Sequence, residues 1–210
     1  MKNEAKILSR FPHLRFSVSP FTNKAAGEIW ERIGKLLGGP PAGITIATFH
    51  GLCSSLLRVP LRVISRSHRF SIYDDQDASR EIRETAKELG AEGAWEEIWS
   101  DIDRLKNHGA LPEEDLISSL GRRDPEGRML PLLREAYSLY EEKLARYDAL
   151  DFNDLLFKAI LLFTRHPEIL SHLRRRCRHL LVEDPSNADA LALLIRNLGK
   201  TGACVEAEAL

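Results

Sequence analysis

The chain has 210 residues with 43% hydrophobic content and a formal net charge of −1, enough to bury a core in one large or two small domains. No apolar run reaches the roughly 18 residues of a membrane span, and the first four residues lack the apolar follow-on of a signal peptide, so we expect a cytoplasmic protein with no membrane partner. The three cysteines, Cys53, Cys177 and Cys204, lack CxxC spacing and so suggest neither a disulfide framework nor a zinc site; we expect reduced, mostly buried thiols.

Charge is unevenly distributed along the chain. Residues 1–72 carry 11 Lys and Arg against 3 Asp and Glu, residues 73–170 carry 13 against 23, and residues 171–210 carry 6 against 5. The net charges are therefore +8, −10 and +1. A basic N-terminal third beside an acidic middle indicates one region that meets a polyanion and another that does not, or does so only locally.

The N-terminal region contains two successive strand-to-helix junctions. The alternation in Phe16–Ser19 predicts a strand, and a helix follows, with Thr22 or Asn23 able to cap it and apolar residues at helical spacing: Ala26, Ile29, Trp30, Ile33 and Leu37. Ile44–Ala47 predicts a second strand, and the next helix carries Leu52, Leu56 and Leu57. Two such units predict a parallel α/β sheet with functional loops at the carboxyl ends of its strands.

The first junction, Pro20–Ala26, has two interpretations. Free backbone N–H groups and polar side chains at a helix N-terminus suit phosphate binding. The alternative is an ordinary capped turn between a strand and a helix.

The pattern in the middle of the chain predicts helices and gives little indication of strands. Apolar spacing predicts four helices, which carry Ala78 to Leu89, Trp95 to Leu105, Leu133 to Tyr147, and Leu156 to Phe163. We expect their aromatic residues to lie in the core. The predicted breaks are Gly90, Asn107-His108-Gly109 and Gly121 to Gly127.

Strand character returns near the end. Arg178–Val182 predicts a buried strand that ends in Glu183-Asp184, followed by a helix with Ala190 to Leu198, a turn at Gly199–Gly202 and a last strand in Ala203–Ala207. We therefore expect an α/β domain, residues 1–72 and 177–210, interrupted by a helical block, residues 73–176.

Four segments follow one another in a familiar order and spacing: Phe21–Ala26, Thr48–His50, Phe70–Asp74 and Ala149–Leu156. In this they resemble the UvrD/Rep/PcrA helicases of superfamily 1. The resemblance implies an α/β, mostly α fold: an incomplete RecA-like, P-loop NTPase-like parallel sheet with an inserted helical subdomain. It also implies ATP and magnesium as the family's cofactors, single-stranded DNA as a partner, and a role in DNA repair.

The resemblance implies DNA contacts in the first two segments. By position, Phe21 would stack against a base, while Thr22, Asn23, Thr48 and His50 would bond phosphate or sugar, with Phe49 in the same second segment. Stacking with hydroxyl and amide donors suits nonspecific single-strand binding. The alternative for Phe49 and His50 is a capped helix start with a buried ring. Asp151 and Asp154 are read as a fold signature, since Asp151 can simply cap the helix that it opens.

The family's ATPase motifs are not preserved. Residues 1–20 contain no glycine-rich phosphate loop, and Gly199-Lys200-Thr201-Gly202 lacks the required preceding spacing. Where the family has Asp-Glu-aromatic-Gln-Asp, this chain has Glu183-Asp184-Pro185-Ser186-Asn187, with the carboxylates transposed. Glu183 and Asp184 are thus degenerate candidates, Glu183 being the remnant metal ligand. We expect no intact catalytic residue, and no ATP or magnesium bound by this chain alone.

Three functions stay open at this point. The first is a partial helicase that binds single-stranded DNA without hydrolysing ATP. The second is a subunit of a split helicase whose missing domains come from another chain. The third makes the acidic residues 73–170 a docking module for a protein such as a repair protein.

Overall fold

The computed structural model describes residues 16–19, 23–40, 44–58, 69–112, 116, 120, 129–176, 179–182 and 205–206. The chain forms two compact units, one of Met1–Val63 with Lys158–Leu210 and one of Ile64–Phe157. The domain boundaries placed after residues 72 and 176 stay a prediction. Three predicted segments lie outside the described residues: Gly121–Gly127, Ala190–Leu198 and Gly199–Gly202.

Helices and short strands alternate along the described chain. In chain order they are β1 (Phe16–Ser19), α1 (Asn23–Leu37), β2 (Ile44–Ile46), α2 (Phe49–Leu57), β3 (Ser71–Tyr73), α3 (Asp75–Glu88), a 3-10 turn (Glu92–Ala94), α4 (Trp95–His108), α5 (Met129–Arg146), β4 (Ala149–Asp151), α6 (Phe152–Arg165), α7 (Pro167–Arg176), β5 (His179–Val182) and β6 (Val205–Glu206). No helix in these ranges is long and apolar enough to cross a membrane.

The first unit is organised around a parallel sheet. Its described strands have the order β2-β1-β5-β6, and every neighbouring pair is parallel. Val18 pairs with Ile46 on one side of β1 and with Leu181 on the other. The prediction of a parallel α/β sheet is confirmed, and the carboxyl ends of β1, β2 and β5 lie at one edge of it.

Helix α1 forms where its apolar spacing predicts, but the spacing does not translate into burial. None of its residues is buried, and the apolar side chains of Trp30, Leu36 and Leu37 are 45%, 85% and 61% exposed. The helix ends at Leu37 because Gly38 adopts a φ of 69°, which favours glycine.

The second unit contains two strands as well as helices. β3 and β4 form a parallel pair in which Ser71, Ile72 and Tyr73 lie opposite Ala149, Leu150 and Asp151. The Ser71 N–H also donates to the Asp148 carbonyl at 2.9 Å. Each strand has only three residues, which are too few to show an alternation in the sequence.

Helices α3, α4 and α5 build the core of this unit. Ile82, Ile98, Ile102, Leu105 and Leu133 are at most 1% exposed, as are Tyr137 and Tyr140. The expected aromatic core is confirmed for the two tyrosines, whereas Tyr147 is 53% exposed because α5 ends one residue before it.

A buried lysine on α4 contacts carboxylates of α5, β4 and α6. The Lys106 ammonium, 1% exposed, lies 2.8 Å from Glu141, 2.6 Å from Asp151 and 3.0 Å from Asp154. The Tyr140 hydroxyl donates to Asp151 Oδ2 at 2.9 Å. Burial opposes the charge of Lys106, but the three carboxylates outweigh it and hold the pKa of its ammonium well above 10.5. We call these five residues the Lys106 cluster.

The Lys106 cluster includes the start of α6. The Asp154 N–H donates to Asp151 Oδ1 at 2.8 Å, and the Asp151 N–H donates back to Asp154 Oδ2 at 3.4 Å. This is the reciprocal arrangement of a capping box. The interpretation of Asp151 as a helix cap is therefore confirmed.

Candidate nucleic-acid interface

The sheet brings the two strand-to-helix junctions to one edge. β1 and β2 are parallel neighbours in register, Phe16 with Ile44 and Val18 with Ile46. The chain therefore leaves both strands on the same side of the sheet, toward α1 from Ser19 and toward α2 from Ile46. Such carboxyl ends are where open α/β sheets hold ligands.

The first junction is described only from its helical side. Phe21 and Thr22 lie outside the described residues, while Asn23 is exposed and is the first residue of α1. The first turn of α1 contains no acidic residue. Its partial positive charge is therefore not offset locally, and the Asn23 amide is accessible to an anionic backbone.

Thr48 opens the second helix as its cap. Its Oγ1 accepts a hydrogen bond from the Gly51 N–H at 3.1 Å, and the residue is 9% exposed. A Cβ at Gly51 would lie 3.1 Å from the same oxygen, so glycine leaves room for the cap. The hydroxyl oxygen is the acceptor in this bond, and a predicted contact of Thr48 with DNA stays a prediction.

Phe49 and His50 differ in their exposure. Phe49 is 7% exposed and belongs to the buried face of α2, together with Leu52, Cys53, Leu56 and Leu57. This is the geometry of a capped helix start with a buried ring, and the predicted DNA contact of Phe49 stays a prediction. His50 is only partly buried, and burial lowers the pKa of its imidazole from 6.5, so the ring is mostly neutral at pH 7.

The third strand at this edge leads to the degenerate acidic pair. Val182 ends β5 and pairs with Ser19 of β1, while Glu183 and Asp184 lie outside the described residues. Among the residues that the structure describes, no group of three His, Cys, Asp or Glu side chains could hold a metal ion. The expectations for Glu183 and for ATP stay predictions.

Comparison with known proteins identifies the family. The UvrD/REP helicase N-terminal domain matches residues 14–195. The chain belongs to this family. Its curated relatives include the ATP-dependent DNA helicases Rep of Escherichia coli, 31% identical over 167 residues, PcrA of Bacillus subtilis, 32% over 184 residues, and UvrD1 of Mycobacterium bovis, 31% over 183 residues.

These alignments cover most of this chain and a small part of the relatives. They include 78% of the chain for Rep, 86% for PcrA and 85% for UvrD1, but 24%, 24% and 23% of the relatives themselves. The chain thus spans about a quarter of the length of the helicases that it matches. The resemblance to UvrD/Rep/PcrA helicases is confirmed, and the family is one of ATP-dependent DNA helicases.

Two structural features of this UvrD/REP domain could not be predicted from its sequence. Gly51 has a precise role at the Thr48 cap, for which the only signal is a glycine inside the first turn of a helix. Lys106 lies in a run that reads as a polar helix face, and no local pattern marks its three carboxylate partners.

Proposed function

We propose that this UvrD/REP family domain binds single-stranded DNA along the edge where β1 and β2 end, and that it does not hydrolyse ATP by itself. The domain would be the partial RecA-like core of a helicase, with residues 73–176 as its inserted helical subdomain. Phe21 would stack against a base. The contacts to phosphate and sugar would come from Thr22, Asn23, Thr48 and His50.

The observation that carries the proposal is the parallel pairing of β1 with β2. The two segments that resemble family motifs, Phe21–Ala26 and Thr48–His50, follow these two adjacent strands in sequence, and the strands pair through Ser17–Thr45 and Val18–Ile46. Adjacent strands lie about 4.8 Å apart, close enough for consecutive nucleotides of one strand to reach both junctions. The net charge of +8 over residues 1–72 supports attraction to a phosphate backbone.

Neutral donors at the junctions suit binding without sequence preference. The described members of the set, Asn23, Thr48 and His50, supply an amide, a hydroxyl and a neutral imidazole. Each can donate to a phosphate or sugar oxygen, and such contacts position a nucleic acid without reading its bases. Stacking on an aromatic ring adds affinity for every base alike.

The test is the binding of fluorescein-labelled oligothymidylate, followed by anisotropy at low salt. We expect measurable affinity, a loss of about five- to 150-fold for Phe21→Ala, from about 1–3 kcal/mol per stacked base, and a smaller loss for His50→Ala. The logarithm of the affinity should fall with the logarithm of salt concentration by about 0.7 for each phosphate contacted.

Two matched substitutions in the other unit serve as controls. Phe152→Ala and His108→Ala remove the same side chains from exposed positions of α6 and α4 and should leave DNA affinity unchanged. If the controls weaken binding as much as Phe21→Ala and His50→Ala, or if the chain binds no better than an acidic control protein, the proposed interface is wrong.

The ATPase half of the proposal has its own test. Calorimetric titration of the chain with ATP and magnesium should give no binding heat, because residues 1–20 contain no glycine-rich phosphate loop and the acidic pair is transposed. Micromolar affinity for ATP would overturn this half and leave the DNA interface standing.

A further inference from the structure

A small pocket opens in the unit Ile64–Phe157. It has a volume of about 40 Å³ and lies among the start of α3, the middle of α4 and the start of α6. The residues that line it are Tyr73, Asp74, Asp75, Ala78, Trp99, Ile102, Asp103, Lys106, Asp151, Phe152 and Asn153. This volume admits one small head group.

Three of the lining residues are aromatic. Tyr73 and Trp99 are partly buried, and Phe152 is 45% exposed although its ring is wholly apolar. Aromatic faces carry partial negative charge and attract cations that lie within about 6 Å of the ring centre. The walls of the pocket are therefore suited to a cation with an apolar stem.

The lining also carries an excess of negative charge. It includes four carboxylates, Asp74, Asp75, Asp103 and Asp151, and a single cation, Lys106. That cation is already shared with Glu141 and Asp154 behind the pocket. The pocket thus repels nucleic acid and attracts a positive ligand.

The carboxylates do not converge as they would on a metal ion. Asp103 accepts from Asn153 at 2.6 Å and from Asn107 at 3.2 Å, and Asp74 accepts from the N–H groups of Gln76 and Asp77 at 2.9 Å. No group of side chains in the described ranges could hold a metal. A diffuse negative field with aromatic rings suits an organic cation.

We propose that this pocket takes the cationic side chain of an arginine or lysine from a basic segment of a partner protein. The head group enters among Asp74, Asp75 and Asp103, and its methylene stem lies against Phe152 at the rim. The exposed ring of Phe152 extends the contact beyond the head group, which favours a side chain on a polypeptide over a small free cation. The inference is independent of the proposed DNA binding.

The test uses the whole chain and a pair of peptides. An acetylated, amidated Ser-Gly-Arg-Gly-Ser peptide is titrated in parallel with its citrulline counterpart, which has nearly the same shape but no charge. The readout is the NMR signal of the Trp99 indole N–H, assigned with a Trp99→Phe variant. We expect saturable shifts with the arginine peptide and none with the citrulline peptide; equal shifts with both would overturn the inference.

Substitutions separate the pocket from general attraction to an acidic surface. Phe152→Leu keeps the apolar bulk but removes the π-face, and Asp75→Asn removes one charge; each should weaken binding about two- to fivefold. The matched control is Glu84→Gln, on the exposed face of the same helix as Asp75 and outside the pocket. If Glu84→Gln weakens binding as much as Asp75→Asn, or if Phe152→Leu leaves it unchanged, the pocket is not the binding site.

Discussion

Replacing Lys106 by methionine tests the energetic role of the Lys106 cluster. The substitution keeps the length of the side chain and removes the cation that lies within 3.0 Å of three carboxylates. Those carboxylates are 17%, 9% and 0% exposed, so water cannot replace the lost ammonium at Asp154. Breaking a buried pair costs about 3–5 kcal/mol, and we expect Lys106→Met to lie at the upper end, near the whole stability of a marginal domain.

A second buried lysine provides the matched control. Lys143, 7% exposed at its side chain, bridges Glu81 at 3.2 Å and Glu88 at 2.8 Å, but Glu88 is 54% exposed. A hydrated carboxylate tolerates the loss of its partner, so Lys143→Met should cost only about 1–2 kcal/mol.

The assay is urea unfolding at pH 7, followed by the fluorescence of Trp95 and Trp99 in a Trp30→Phe background. Adding Asp154→Asn to Lys106→Met keeps an oxygen for the cap but removes one orphaned charge, and should recover about 1–3 kcal/mol. A cost below about 1 kcal/mol for Lys106→Met, or one equal to that of Lys143→Met, would refute the reasoning.

The pH dependence gives an independent check. Because the folded pKa of Lys106 is raised above its unfolded value of 10.5, its contribution is fully present below pH 10.5 and is lost only as the pH rises through the folded pKa. The difference in unfolding free energy between the parent chain and Lys106→Met should therefore stay constant between pH 7 and about 10.

Three further predictions concern the junction at α2. Thr48→Ala should lower the unfolding free energy by about 1 kcal/mol, and Thr48→Ser should not, as measured by urea unfolding. Burial raises the pKa of Cys53 to about 12, so with Cys177 and Cys204 replaced by serine the native chain should not react with Ellman's reagent at pH 8 until urea unfolds it; rapid native reaction would contradict the buried thiol. Burial lowers the pKa of His50, so its NMR titration midpoint should fall below 6.5; protonation then favours the unfolded chain, and stability contributed at this site should decrease as the pH falls below 6.5.

Local chemistry accounts for the parts of the fold that sequence predicts well. The Asn107-His108-Gly109 break ends α4 as expected, because Gly109 adopts a φ of 76° that non-glycine residues rarely take. Asp74 and Asp151 begin α3 and α6 through side-chain bonds to backbone N–H groups. Each of these signals involves residues no more than three positions apart.

Long-range pairing explains what sequence did not reveal. β4 has three residues, and its partner β3 lies 78 positions earlier, at Ser71 opposite Ala149. Lysine is rarely buried without a partner. No residue near Lys106 in sequence indicates that its partner is Asp151, 45 positions later. Helix α7 was not predicted either, although Pro167 at its first position was a start signal.

The sequence likewise predicts only part of the candidate interface. The adjacency of the two junctions follows from strands that sequence patterns predict, once parallel pairing is assumed. The sequence does not show that Phe49 is the buried ring and His50 the more exposed one, because consecutive helix residues face different directions. Only the packing of α2 decides which ring is accessible.

The pairing of β3 with β4 has a consequence for how the second unit assembles. Closing a loop of this length costs chain entropy before any strand contact forms, whereas α3, α4 and α5 arise from contacts close in sequence. The helices should therefore form early and the two strands should join late. Once joined, they hold the start of α3 and the end of α5 close together, because paired strands lie about 4.8 Å apart. Residues inserted between the helices of α3–α5 should therefore leave the two points where this segment begins and ends unchanged.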